Sequence, residues 1–264
     1  MSKETLLYFV LYFVLYSFAG WLLESVSKSI MQRKFVNSGF LIGPICPIYG
    51  LGAIIMILCL NPLKEMPVLL FIAAFFILSL WEYVVGVILE KLFKTKYWDY
   101  SHLKFNFQGR VCLKNSIYWG ILGVLFICFV NPFVESYIVN IPIDILIYAD
   151  IAIIAILVVD IIVSIKDTIN FETAINKIND LSDVIKEKLE EINIKYKKNT
   201  EEKTRMEKAI KNLKRKQTKL KIKLYRQAIR LRKAFPSMKS DIMNKFLSQK
   251  IGLKNLKDSM KNKE

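Results

Sequence analysis

The sequence predicts an all-α protein, a polytopic membrane helix bundle of about five spans followed by a cytoplasmic helical, coiled-coil tail. Three observations carry this. Of 264 residues 53% are apolar and 12% aromatic, a combination soluble domains rarely reach. The apolar residues gather into segments of roughly span length, separated by turn signals. The charge is split: from Lys166 onward there are 28 Lys/Arg against 13 Asp/Glu, whereas residues 1–165 hold 11 against 10. The net +16 therefore sits almost wholly in the last third, and the chain divides into a membrane domain, 1–165, and a basic tail, 166–264.

A hydrocarbon core about 30 Å thick needs roughly 20 helical residues. The segments 5–27, 45–61, 66–91, 114–134 and 141–165 meet or approach that length. The first follows a lone Lys3, with no basic n-region and no A-x-A site, so it reads as an uncleaved span. The second is the shortest and starts in a Gly/Pro-rich stretch, which suits a partly re-entrant segment. Asn61-Pro62, Pro67, Asn131-Pro132 and Asn140 to Pro142 punctuate the rest. Lys28, Arg33 and Lys34 mark the 28–44 connection as cytoplasmic. So do Lys91, Lys94, Lys96, Lys104, Arg110 and Lys114 for 91–114, while 61–67 and 131–142 carry little charge. With five spans this alternation places a multi-pass protein in the cell membrane, its N-terminus outside and its C-terminus in the cytoplasm.

An ionisable group inside a span costs about 2.5–3.5 kcal/mol on insertion scales and calls for a partner or water. Glu24 follows Gly20-Trp21 at the inner end of the first span, Glu82 lies well inside the third, and Glu90 is near its inner end. Glu82, Gly86 and Glu90 share one helical stripe about 12 Å long, and Gly86 would admit a close neighbour. Asp144, Asp150 and Asp160 lie in or beside the fifth span. Asp150 reads best as one acid hydrogen-bonded between helices, with a proton relay as the other reading. Tyr8, Tyr12 and Tyr16 recur every four residues, a spacing that favours packing over a binding box.

Asn37 to Gly52 contains four glycines and two prolines. Gly39, Gly43, Pro44, Pro47, Tyr49 and Gly50 thus form a close-approach loop, whose irregular backbone needs protein or a wet cavity around it. In the second inner connection Asp99 and Arg110 stand among Tyr97, Trp98, Tyr100, Phe105 and Phe107. Arg110 can counter Glu24, Glu82 or Glu90, or clamp a carboxylate or phosphate. His102, the sole histidine, has no companion ligand. Cys46, Cys59, Cys112 and Cys128 form no CxxC, so neither a disulfide framework nor a metal or cofactor is expected.

Gly20-Trp21-(two residues)-Glu24, Gly39-Phe40-Leu41-(one residue)-Gly43-Pro44-(one residue)-Cys46-Pro47-Ile48-Tyr49-Gly50, and Trp98-Asp99-Tyr100-Ser101 through Gly109-Arg110-Val111-Cys112-Leu113 stand in a recognisable order. Over residues 5–165 the chain resembles the bacterial family named putative ABC-transporter type IV, or putative ABC transporter permease. The resemblance implies a membrane transport component. Ser38 stands where that family often has Arg, so a role for a positive charge there does not carry over. The sequence holds no GxxxxGK[ST] loop, so a permease of this kind needs a separate ATPase subunit, and a second copy would help enclose a path.

In the tail, Ile175, Ile178, Leu181, Ile185, Leu189, Ile192 and Tyr196 recur every three or four residues. Met206, Ile210, Leu213, Leu220, Leu224 and Leu231 do the same with gaps. They predict two amphipathic helices, continuous or folded as a hairpin. Phe246, Leu247, Ile251, Leu253 and Leu256 suggest a last one. The basic face suits anionic lipid at about 1 kcal/mol per charge, or self-association. No recognised nucleic-acid motif is present.

Three functions remain open. The first, and favoured, is a permease-like subunit with Glu24, Glu82, Glu90, Asp99 and Arg110 around a cytoplasm-facing polar cavity, binding substrate or protons. The second is a membrane enzyme acting on a lipid-linked or amphipathic substrate, which the lack of a Ser/His/Asp order or metal cluster disfavours. The third is an anchor or assembly factor working through the tail.

Overall fold

Described in a computed structural model are residues 3–195 and 200–248; Tyr196, Ile251, Leu253 and Leu256, expected on tail helices, lie outside them. The chain forms two compact units, Met1–Ile165 with Leu231–Ser240, and Lys166–Arg230 with Asp241–Glu264.

In the first unit α1 (Lys3–Gln32) is an apolar helix stopped where Arg33 turns left-handed, φ 49°. An irregular stretch leads to α2 (Pro47–Leu60) and a 3-10 turn, Asn61–Leu63. Then α3 (Pro67–Phe93) begins on a proline, whose fixed φ suits a first helical position, and ends where Lys94 turns left-handed. A short antiparallel hairpin, β1 (Asn106–Phe107) with β2 (Val111–Cys112), precedes α4 (Leu113–Leu125). A π-helical turn, Phe126–Val130, leads into α5 (Asn131–Ile138). Pro132 has no N–H to continue an α ladder, which accounts for the widened turn before it. Then α6 runs from Ile143 to Lys195 without a break.

Four helical stretches are long and apolar enough to cross a membrane: Leu6–Gln32, Pro67–Phe93, Leu113–Ile138 and Ile143–Phe171. The second of the five expected spans falls short, because only Pro47–Leu63 is helical there. Gly39, Gly43, Pro44 and Pro47 keep the residues before it out of a helix. Even so, α2 starts beside the middle of α1, where the Cys46 N–H donates to the Ser17 carbonyl at 3.1 Å.

The irregular stretch is bonded to the helices on both sides of it, which satisfies backbone that no helix ladder serves. Ser29 Oγ accepts from Val36 N–H (2.9 Å) and Ser25 Oγ from Ser38 N–H (3.1 Å). On the other side, Asp160 on α6 accepts from Ile42 N–H (3.0 Å) and Gly43 N–H (2.9 Å). Asn37 accepts from Trp21 Nε1 (2.6 Å) and donates to the Ile42 carbonyl (2.7 Å).

α1 and α2 are antiparallel, Gly20 facing Tyr49 and Gly50 facing Ser17 and Phe13. α3 and α4 are antiparallel too, with Ser79 bonded to Ser116 at 2.6 Å, Gly120 on Phe71 and Gly123 on Ala74. The core joins Tyr12, Tyr16, Met56, Leu60, Leu70, Leu78, Phe126 and Ile127. The tyrosine stripe is packing: Tyr12 and Tyr16 stack at 5.9 Å, and Tyr16 OH donates to Asn131 at 3.0 Å. Phe40, Phe93 and Tyr97 meet with centroids 4.9–6.1 Å apart. That cluster puts the two positively charged connections, 28–44 and 91–114, at the same end of the unit.

In the second unit the distal half of α6 lies antiparallel to α7 (Thr200–Ala234). Ile185, Ile192 and Ile210 form its apolar seam with Met206 and Leu213. Gln217 reaches the Ile178 carbonyl (3.1 Å) and Ser182 Oγ (2.5 Å), and Lys223 pairs with Asp167 at 2.9 Å. The tail helices thus fold as a hairpin. Phe246 on α8 (Asp241–Ser248) packs edge-on against Phe171 at 5.7 Å.

Candidate functional site

Glu82 sits on the inward stripe of α3, spaced four residues from Leu78 and eight from Ala74, and is 5% exposed. One oxygen accepts from Tyr100 OH (3.0 Å), the other from Trp119 Nε1 (2.9 Å). Both donors are neutral. Tyr100 reaches it because the 94–112 connection folds back onto the bundle. The Tyr100 N–H donates to Gly109 O (2.8 Å) and Trp98 Nε1 to Arg110 O (2.9 Å). The turn that makes this fold-back tight has positive φ at Gln108 (53°) and Gly109 (66°). A Cβ at Gly109 would lie 2.5 Å from Ser101 Oγ and 2.7 Å from Lys96 Nζ, so only glycine fits. Burial raises the Tyr100 hydroxyl above its ordinary range, and the Glu82 carboxylate adds to this; Tyr100 stays a donor.

Glu24 accepts from Lys28 at 2.5 Å, and the Cys46 thiol faces its other oxygen at 3.8 Å. Two polar groupings result: Glu24 with Lys28 and Cys46, between α1 and the start of α2, and Glu82 with Tyr100 and Trp119, between α3, α4 and the folded-back loop.

Of the residues anticipated from sequence, Glu24 stands in the first grouping and Glu82 in the second, and Tyr49 packs against Gly20 of α1. Glu90 and Arg110 do not join them: Arg110 Nε and Nη2 donate to Glu90 Oε2 at 3.1 and 2.7 Å, its Nη1 meets Gln108, and its guanidinium lies 5.7 Å from the Tyr83 ring centre. Of its three anticipated counter-ions, Arg110 has taken Glu90. Gly86 is approached by Trp98 and Arg110, not by another helix.

Asp99 is a separate centre, 4% exposed. Lys96 Nζ (2.8 Å), Lys239 Nζ and Ser101 Oγ (2.6 Å) all reach it. Burial alone would raise its carboxyl, but the bonds from Lys239, Lys96 and Ser101 prevail and hold it well below the usual carboxylate range. Of the close-approach loop, Gly39 takes φ 90°, and Gly43 places its N–H on Asp160. Gly50 packs on α1, and Pro47 opens α2. Pro44 lies between them, exposed.

Asp150 differs from expectation. It is 2% exposed, yet neither carboxyl oxygen has a hydrogen-bond partner among the described residues. Sequence reasoning missed Lys28 and Cys46 as partners of Glu24, Tyr100 and Trp119 as partners of Glu82, and Asp160 as the anchor of the Gly/Pro loop. Lys28, four residues after Glu24, was the one legible signal. Of the others, Tyr100 depends on the loop folding back, and Cys46, Trp119 and Asp160 on how their helices pack.

Four apolar helices of spanning length, with carboxylates buried between them, define a multi-pass α-helical membrane protein. The chain belongs to the family described as Putative ABC-transporter type IV, whose model matches residues 11–165. No curated protein and no solved structure matches it.

Proposed function

We propose that the chain is the membrane-embedded, permease-like subunit of a transporter, driven by an ATPase on a separate chain. Membership of its family supports the transport reading, and the lack of a phosphate-binding loop in the sequence supports the separate ATPase. The observation that carries it is Glu82, a core carboxylate on a spanning helix held by two neutral donors. Keeping an acid there costs about 2.5–3.5 kcal/mol. A carboxylate there without a fixed counter-charge can take up a proton or a cationic group. Tyr100, which donates to Glu82 at 3.0 Å, is the group such a ligand would displace.

The same reading takes five crossings. α1, α3 and the first part of α6 run one way, and α2 and α4–α5 the other. The second crossing is made half by the irregular stretch before Cys46 and half by α2. The positively charged connections then face the cytoplasm, with the N-terminus outside. A second copy completes the path, and the basic α7 rests on anionic lipid.

The test uses vesicles containing the chain and its ATPase, screened with a panel of labelled solutes against vesicles lacking the chain. For the solute found, Glu82→Gln should lower flux at least about tenfold, a loss of ~1.4 kcal/mol, with normal amounts in the membrane. Unchanged flux would remove Glu82 from the path. Turnover of a lipid by the purified chain alone would favour the enzyme reading instead.

A further inference from the structure

Leu231–Ser240, the last turn of α7 and the link from it to α8, belongs to the first unit. Pro236 ends α7, since it has no N–H to extend the ladder. The chain beyond it lies along the 94–112 connection. Lys96 and Lys239 exchange both backbone hydrogen bonds, at 3.0 and 2.8 Å, as an antiparallel bridge. Ser237 Oγ accepts from Asp99 N–H at 3.4 Å, and the Lys239 ammonium pairs with the Asp99 carboxylate. Phe235 packs edge-on against Tyr97 with centroids 4.9 Å apart, under the Lys28 ammonium at 5.2 Å. Lys28 also donates to the Ala234 carbonyl, and Gln32 to that of Lys233 at 3.0 Å.

We infer that the Lys96–Asp99 edge and the end of α1 form a docking site for an extended peptide, and that Phe235–Lys239 is the ligand this chain supplies to it. Main-chain pairing along an exposed edge, an aromatic anchor and one buried charge partner are the elements by which strand-addition sites hold peptides. Site and ligand are separable. Lys28, Gln32, Lys96, Tyr97 and Asp99 lie inside the family match at 11–165, and the ligand lies outside it. When Lys239 leaves, Asp99 keeps Lys96 and Ser101, so the surface persists without its occupant. The ligand class is an extended segment with an aromatic residue four positions before a lysine.

The test uses the full chain in lipid nanodiscs and a fluorescein-labelled peptide with the sequence of residues 230–241. The double variant Phe235→Ala/Lys239→Glu, whose own segment no longer competes, should bind the peptide at least tenfold more tightly than the unaltered chain. A peptide carrying the same two substitutions should bind neither. Hydrogen exchange on the unaltered chain is the second measurement, independent of any variant. Excess peptide should speed exchange at the Lys239 amide and leave Lys96 protected. Equal binding to both chains, or a Lys239 amide that exchanges at the free-chain rate without peptide, would overturn the proposal.

Discussion

Two lysines and a serine bond the Asp99 carboxylate and a tyrosine and a tryptophan that of Glu82, whereas no described residue donates to Asp150. The three acids illustrate what burial demands of a charge. Asp99 binds its proton less readily in the folded chain than in the unfolded one. Its contribution to stability is therefore fully present above the ordinary carboxylate range, about pH 4, and is lost as pH falls through the depressed folded value. Thermal melting of the chain in detergent should be flat from about pH 8 to 5 and decline below that range, with a smaller decline in Asp99→Asn. Asp150 behaves differently, because a partnerless buried polar group costs about 1–3 kcal/mol. Asp150→Leu should raise the melting temperature of the purified protein, and a lowered one would reveal a partner. Glu24, Glu82 and Glu90 could be named from sequence because charges stand out in apolar runs. Their partners could not: Tyr100 and Trp119 are 18 and 37 residues from Glu82, and aromatic residues in apolar segments carry no mark of which one donates.

Among the elements, α1 and α2 depend on small residues for their contact. A Cβ at Gly50 would stand 2.8 Å from Phe13 Cδ2 and crowd the Phe13 carbonyl, which cannot move. At Gly52 the nearest atoms, on Trp81, are 3.6 Å away, an ordinary contact. Gly50→Ala should therefore destabilise by about 1–3 kcal/mol, and Gly52→Ala by no more than about 0.5 kcal/mol; equal losses in a thermal scan would refute that packing. The irregular stretch before α2 was legible as non-helical from Gly39, Gly43, Pro44 and Pro47. What the sequence concealed was its support. Ser25 and Ser29 on α1 and Asp160 on α6 look like ordinary polar residues until the backbone they serve is placed beside them. In the tail the apolar spacing of three and four was enough for two helices but could not choose between one rod and a hairpin. The choice is visible in Gln217 reaching across to Ile178 and Ser182.

For the whole molecule, hydrophobic segments were the strongest signal, because the bilayer limits a crossing to few lengths. They marked the four helices long and apolar enough to cross a membrane, whereas the second expected span, helical only over Pro47–Leu63, falls short of that length. In the proposed function, five alternating crossings gather the two positively charged connections over Glu24 and Glu82 at the cytoplasmic face. Cysteine labelling tests it most directly. With the native cysteines replaced by serine, His102→Cys and Ser136→Cys are exposed to a membrane-impermeant maleimide in right-side-out and inside-out vesicles. Cys at position 102 should react only in inside-out vesicles and Cys at position 136 only in right-side-out ones. Reaction of position 102 from outside, or of both positions from one face, would contradict it.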